Sequence, residues 1–124
     1  MIVEGGNYGW PVEVGYSPKH RYINPLWDSG KRAIAPTGIV FYPEWGNFPP
    51  EYRHNMFVVD YNYGRVYRIR LSGRRLDRIE HFEVWMPAGF ANTTFADITV
   101  GPDGALYLAG FSKIVKIEYR PARR

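Results

Sequence analysis

Residues 55–71 read NMFVVDYNYGRVYRIRL, and the fold turns on how this stretch divides. "NMFVVDY" carries Phe57, Val58 and Val59 in succession, a strand apolar on both faces, as expected where both sides are buried. "NYG" follows as a tight hairpin turn, in which Gly64 can take positive φ without a Cβ clash. "RVYRIRL" then alternates, with Tyr67, Ile69 and Leu71 on one side and Arg65, Arg68 and Arg70 distributed around it. The stretch is therefore a β-hairpin.

Its neighbours extend it. "TGIVFYP" (37–43) reads as a strand, "EWGNFPPEY" (44–52) as a turn-rich loop, "SGRR" (72–75) as a turn and "DRIEHFEVW" (77–85) as a further strand. That makes four strands in meander order. After "MPAGFANTTF" (86–95) the series restarts with the strand "ADITV", the turn "GPDG", the buried strand "ALYLAGF" and a closing "KIVKIEY". Setting "VYRIRL" over "IVKIEY" places Val66 on Ile114, 48 residues later. A four-stranded unit recurring at roughly 40–50 residues is the signature of propeller blades, and two units cannot close a ring that needs at least about four.

Residues 1–32 hold no clean period, because Gly5, Gly6, Gly9, Pro11, Gly15, Pro18, Pro25 and Gly30 interrupt every run. They read as an inter-blade connecting loop anchored by Tyr8, Trp10, Tyr16, Tyr22 and Trp27. Residues 33–86 then form the penultimate blade and 87–124 the last blade, with three strands. The fold class is all-β: a partial β-propeller of one complete four-stranded blade, one three-stranded blade and a long leading loop. The expected partners are the remaining blades of a longer chain. Phe57, Val59, Leu106 and Leu108 are expected on the open flanks of such a piece. Trp10, Trp27, Trp45 and Trp85 are expected to pack between blades.

Composition narrows the function classes. The chain has 124 residues, 45% of them apolar and 17% aromatic, within the range of one ordered domain. The net charge of +4 comes from scattered residues, which argues against nucleic acid as partner. The absence of cysteine excludes disulfides and thiolate metal sites. No run approaches the roughly 18 apolar residues of a membrane span. His20, His54 and His81 are too dispersed for a metal motif, and no spacing links Asp28 with Glu44. Asp60, at the end of a buried strand, either faces a central funnel or caps the hairpin backbone, and the cap is the favoured reading. Tyr61, Asn62 and Tyr63 either contact a sugar or ring or simply meet the geometry of the turn.

The segments "GGNYGWP", "INPLWDSGKRAIAPTGIVFY", "FPPEYRHNMFVVDYNYGRVYRIRL" and "DITVGPDGALYL" resemble the glucose/sorbosone dehydrogenase family over nearly the whole chain. The resemblance implies a soluble six-bladed propeller that oxidises aldose sugars with pyrroloquinoline quinone (PQQ) and calcium. It also implies a periplasmic or secreted protein. The general base and the ligands of the cofactor calcium precede "NYGWP" in that family, so no catalytic residue is expected in this chain. The cofactor-binding positions fall on Asn62, with Tyr63 beside it, and on Thr94 and Ala96. These are neutral where the family carries a lysine and two arginines, the strongest partners for the quinone's carboxylates. A second, structural calcium implied by the resemblance would use the carbonyls of Val14 and Tyr16, but Pro18 stands where its Asp is expected. The competing expectation is a non-catalytic propeller module that binds a ligand or partner, its cofactor site lost.

Overall fold

The computed structural model describes residues 2–123; positions 1 and 124, the outer ends of the expected 1–32 and 87–124 segments, lie outside the described residues. Among the described residues seven strands form two antiparallel sheets. The first holds β1 (Pro36–Phe41), β2 (Met56–Asp60), β3 (Arg65–Ser72) and β4 (Arg78–Met86), in the order β1-β2-β3-β4. The second holds β5 (Phe95–Val100), β6 (Leu106–Gly110) and β7 (Ile114–Ile117), in the order β5-β6-β7. Each sheet is a meander with no crossover, the arrangement of successive propeller blades.

The turns follow the residues that make them. Gly64, at φ 60°, closes the β2–β3 hairpin by donating its N–H to the carbonyl of Asp60 at 2.9 Å. In "GPDG" the Gly104 N–H reaches Gly101 O and the Gly101 N–H reaches Ala105 O, each at 2.9 Å. The Asp103 carboxylate accepts from the Ala105 N–H.

The principal core lies between the sheets. Phe57, Val59 and Val66 of the first sheet meet Phe95, Ile98, Leu106 and Leu108 of the second, together with Tyr42 and Phe48 from the β1–β2 connection. Phe57, Val59, Leu106 and Leu108, expected on open flanks, are fully buried here. The two sheets pack on each other and leave the opposite faces outward. On the outer face of the first sheet, Val58, Tyr67 and Ile69 form a second cluster with Ile34, Met56 and Phe82 around it. Ile39 and Phe41 share that face through their register with Val58 and Met56, and both are more than half exposed.

Two links tie the sheets at their edges. The buried Tyr42 hydroxyl donates to Gly104 O at 2.6 Å and accepts from the Phe48 N–H at 3.0 Å, while Asn47 Nδ2 donates to Asp103 O at 3.1 Å. At the other edge β1 lies against β5: a Cβ at Gly38 would stand 2.7 Å from the Asp97 Cα, so the strands touch backbone to backbone.

The tryptophans divide. Trp85 joins the inter-sheet core, its ring 4.9 Å from Phe57. Trp27 stacks on Phe82 at 4.9 Å on the outer face, which is how the leading segment is fastened to the first sheet. Trp10 and Trp45 are exposed with respect to the two sheets described, each in a turn outside either sheet.

Candidate functional site

One end of the two sheets gathers the predicted cofactor positions. Gly64 has no room for a side chain: a Cβ there would lie 2.5 Å from Thr93 O and 3.8 Å from the Thr94 Cα. This close approach brings the Tyr61–Gly64 turn against the start of the second sheet. The β6–β7 turn joins them, since Phe111 N–H donates to Thr94 O and to Thr93 Oγ1, both at 3.3 Å. Asn62, Tyr63 and Thr94 thus belong to one rim. Ala96 follows one residue into β5 and is exposed.

Asp60 organises the rim from beneath. It is fully buried, and its Oδ1 accepts from Ala35 N–H at 2.9 Å and Asn62 N–H at 3.0 Å. The Tyr67 hydroxyl donates to Oδ2 at 3.4 Å. Burial pushes the Tyr67 phenol above its ordinary range; the charge of Asp60 adds to this and Arg65 opposes it. With its backbone and side-chain partners inside the protein, Asp60 is the hairpin cap rather than a funnel group.

The rim's polar groups are neutral where an anion would need charge. Asn62 Nδ2 donates to Ala33 O at 3.1 Å, Thr93 Oγ1 donates to Thr94 O at 3.2 Å, and Ala96 offers only a methyl. The three carboxylates of PQQ therefore find no charged partner at Asn62, Tyr63, Thr94 or Ala96, and these positions do not fit the quinone's acid groups. Two cations that spacing did not single out stand nearby. The Arg65 guanidinium lies 4.2 Å above the Tyr63 ring, and Lys113 Nζ donates to Ala91 O at 2.8 Å.

The expected structural-calcium segment is on the other side of the first sheet. Val14 and Tyr16 are exposed and flank Gly15, whose φ is 75°. Pro18 brings no carboxylate, but the fold brings another. A Cβ on Gly15 would stand 3.3 Å from Asp28 Oδ2, while Asp28 Oδ1 accepts from Gly30 N–H at 2.7 Å. In the same turn the Glu13 Oε2 and Ser17 Oγ atoms are buried without a hydrogen-bond partner. The "DSG" at 28–30 signals this local Asx turn, yet nothing in the spacing of the sequence shows that it meets residue 15.

A sequence model of the family described as Glucose / Sorbosone dehydrogenase matches residues 1–113. Among curated proteins none gives a significant match. Solved structures do. A crystal structure of a Thermus thermophilus protein assigned as an oxidoreductase (glucose dehydrogenase) is 30% identical, with a TM-score of 0.67 over 87% of this chain and 28% of that one. A crystal structure of a glucose dehydrogenase is 25% identical, with a TM-score of 0.66 over 93% of this chain and 36% of that one. The chain spans about a third or less of the length of these structures.

Proposed function

Because the chain belongs to the glucose/sorbosone dehydrogenase family, we propose that it supplies two blades of a propeller that oxidises aldoses. Family membership implies PQQ, which would supply hydride-acceptor chemistry toward an aldose in the complete protein; Asn62, Tyr63, Thr94 and Ala96 offer its carboxylates no charged partner, so residues outside this chain would have to hold them. The observation that carries the reading is the rim where Gly64 lies against Thr93 O, joining the first-sheet hairpin to the second sheet at one end. Its Asn62 amide, Tyr61 and Tyr63 rings and Thr93 and Thr94 hydroxyls suit a neutral polyol better than a tricarboxylate. On this reading the chain contributes scaffold and a sugar-facing rim, while base and cofactor metal belong to other blades. On this proposal the protein works in the periplasm or outside the cell, the setting that the family resemblance implies.

The neutral set Asn62, Thr94 and Ala96 also favours a second reading, a propeller that binds a ligand or partner without turnover. One experiment separates the two. The full-length protein is titrated with PQQ and calcium, followed by absorbance, and then supplied with an aldose and a reducible dye. Aldose-dependent dye reduction supports the first reading. Sugar binding without PQQ binding or dye reduction supports the second and overturns the first.

A further inference from the structure

Arg53, Arg68, Arg70 and Arg120 each pair with a glutamate. Arg65 forms no such pair among the described residues, although a carboxylate stands beside it. Its cross-strand neighbour is Asp60, in the last pair of the β2–β3 ladder before the rim turn. The Asp60 oxygens are already taken by the Ala35 and Asn62 N–H groups and the Tyr67 hydroxyl. The guanidinium is held by aromatic rings instead. It lies 4.2 Å from the centroid of the Tyr63 ring. It is also close enough to the Tyr67 phenol to offset part of the upward push that burial and Asp60 give that group.

A guanidinium held over a ring keeps N–H donors at its edge, and that planar fork matches a carboxylate with two parallel hydrogen bonds. Lys113, the other cation near the rim, is tied to Ala91 O at 2.8 Å and braces the β6–β7 turn. The groups around Arg65 are neutral: the Asn62 amide, the Thr93 and Thr94 hydroxyls, and the Tyr61 and Tyr63 rings, both more than a third exposed. One fixed cation in such a set suits a polyol with a single acid group, whereas a phosphate dianion or a tricarboxylate calls for more charge. We propose that Arg65 is the anion-recognising residue of this rim, and that the sugar it receives is an aldose bearing one carboxylate, as a uronic acid does. This rests on the reading of the chain as part of an aldose-binding propeller.

Calorimetric titration of the full-length protein tests it with three probes: glucuronate, its neutral amide glucuronamide, and glucose. The wild type should bind glucuronate at least about tenfold more tightly than glucuronamide, the ratio expected of one charge-assisted pair. In Arg65→Gln the two affinities should fall within about twofold of each other, as expected once that pair is lost. A second comparison needs no variant: the wild-type ratio should shrink when salt is raised from about 0.05 M to about 0.5 M, because screening weakens an ion pair at an accessible rim. Equal wild-type affinities for glucuronate and glucuronamide, with glucose bound, would overturn the proposal and leave the aldose reading standing. In that event a lower melting temperature in Arg65→Gln would assign the guanidinium to a carboxylate of a neighbouring blade. A preference that survives Arg65→Gln, or that ignores salt, would overturn the proposal as well. Binding of none of the three sugars would overturn both it and the aldose reading.

Discussion

The four-stranded sheet carries apolar residues on both faces, but the faces are covered by different kinds of structure. Phe57, Val59 and Val66 meet a second sheet and are wholly buried. Val58, Tyr67 and Ile69 meet the leading segment, which touches down at Trp27 and Ile34 and leaves a cavity of about 740 Å³. A strand presents a side chain every second residue and can match another sheet along its length. A chain segment punctuated by glycine and proline has no such repeat and packs only at its anchors. Regular structure fills the inner face, and isolated contacts hold the outer one.

Substitutions can break this contrast in measurable ways, the most severe on the inner face. Phe57→Ala should lower stability by about 3–5 kcal/mol in urea denaturation, as expected for a large ring lost from a filled core. A loss under about 1 kcal/mol would mean that the inner face is no better packed than the outer. Tyr42→Phe keeps the ring but strips Gly104 O and Phe48 N–H of their partner, and should cost about 1–3 kcal/mol in the same assay. Trp27→Ala on the outer face should cost about 1–2 kcal/mol, since its ring stack on Phe82 is only half covered. A cost equal to that of Phe57→Ala would erase the distinction between the faces.

The smallest effect concerns the exposed face of the second sheet and is read by pH. The Tyr107 hydroxyl, followed by Lys116, holds the Asp103 carboxyl down at about 2, below its ordinary 3.8. A depressed folded value stabilises above the unfolded one and is lost as pH falls through the interval. Melting temperature should therefore drop slightly more between pH 4 and pH 2 in the wild type than in Asp103→Asn. Equal slopes would show that this surface network contributes nothing, as many exposed pairs do not.

The strands and turns were legible because period and turn chemistry are local properties. "VYRIRL" shows its alternation, and "NYG" and "GPDG" carry the glycines that their φ values require. Which face of "MFVVD" would meet the second sheet was not legible, because three successive apolar residues satisfy either choice. That ambiguity put Phe57 and Val59 on an open flank in the sequence reading. The rim was legible in part. Asn62 and Tyr63 announce a turn, whereas its packing on Thr93 depends on the space left at Gly64. Asp28 was missed because its meeting with Gly15 arises in a stretch without period, where separation along the chain says nothing about distance.

Gly38 carries a consequence beyond its own strand. Because β1 rests on β5 with no side chain between them, this edge is the narrow side of a wedge, and the rings of Tyr42, Phe48, Phe57 and Trp85 make up the broad side. The taper sets how far each sheet is rotated from the next. In a ring such rotations must sum to a full circle, so a small change in one is felt at the seam where the ring closes. A methyl group at position 38 would push the narrow side apart and flatten the wedge between the two sheets. The missing side chain at Gly38 thus acts as a gauge of the angle between these two sheets.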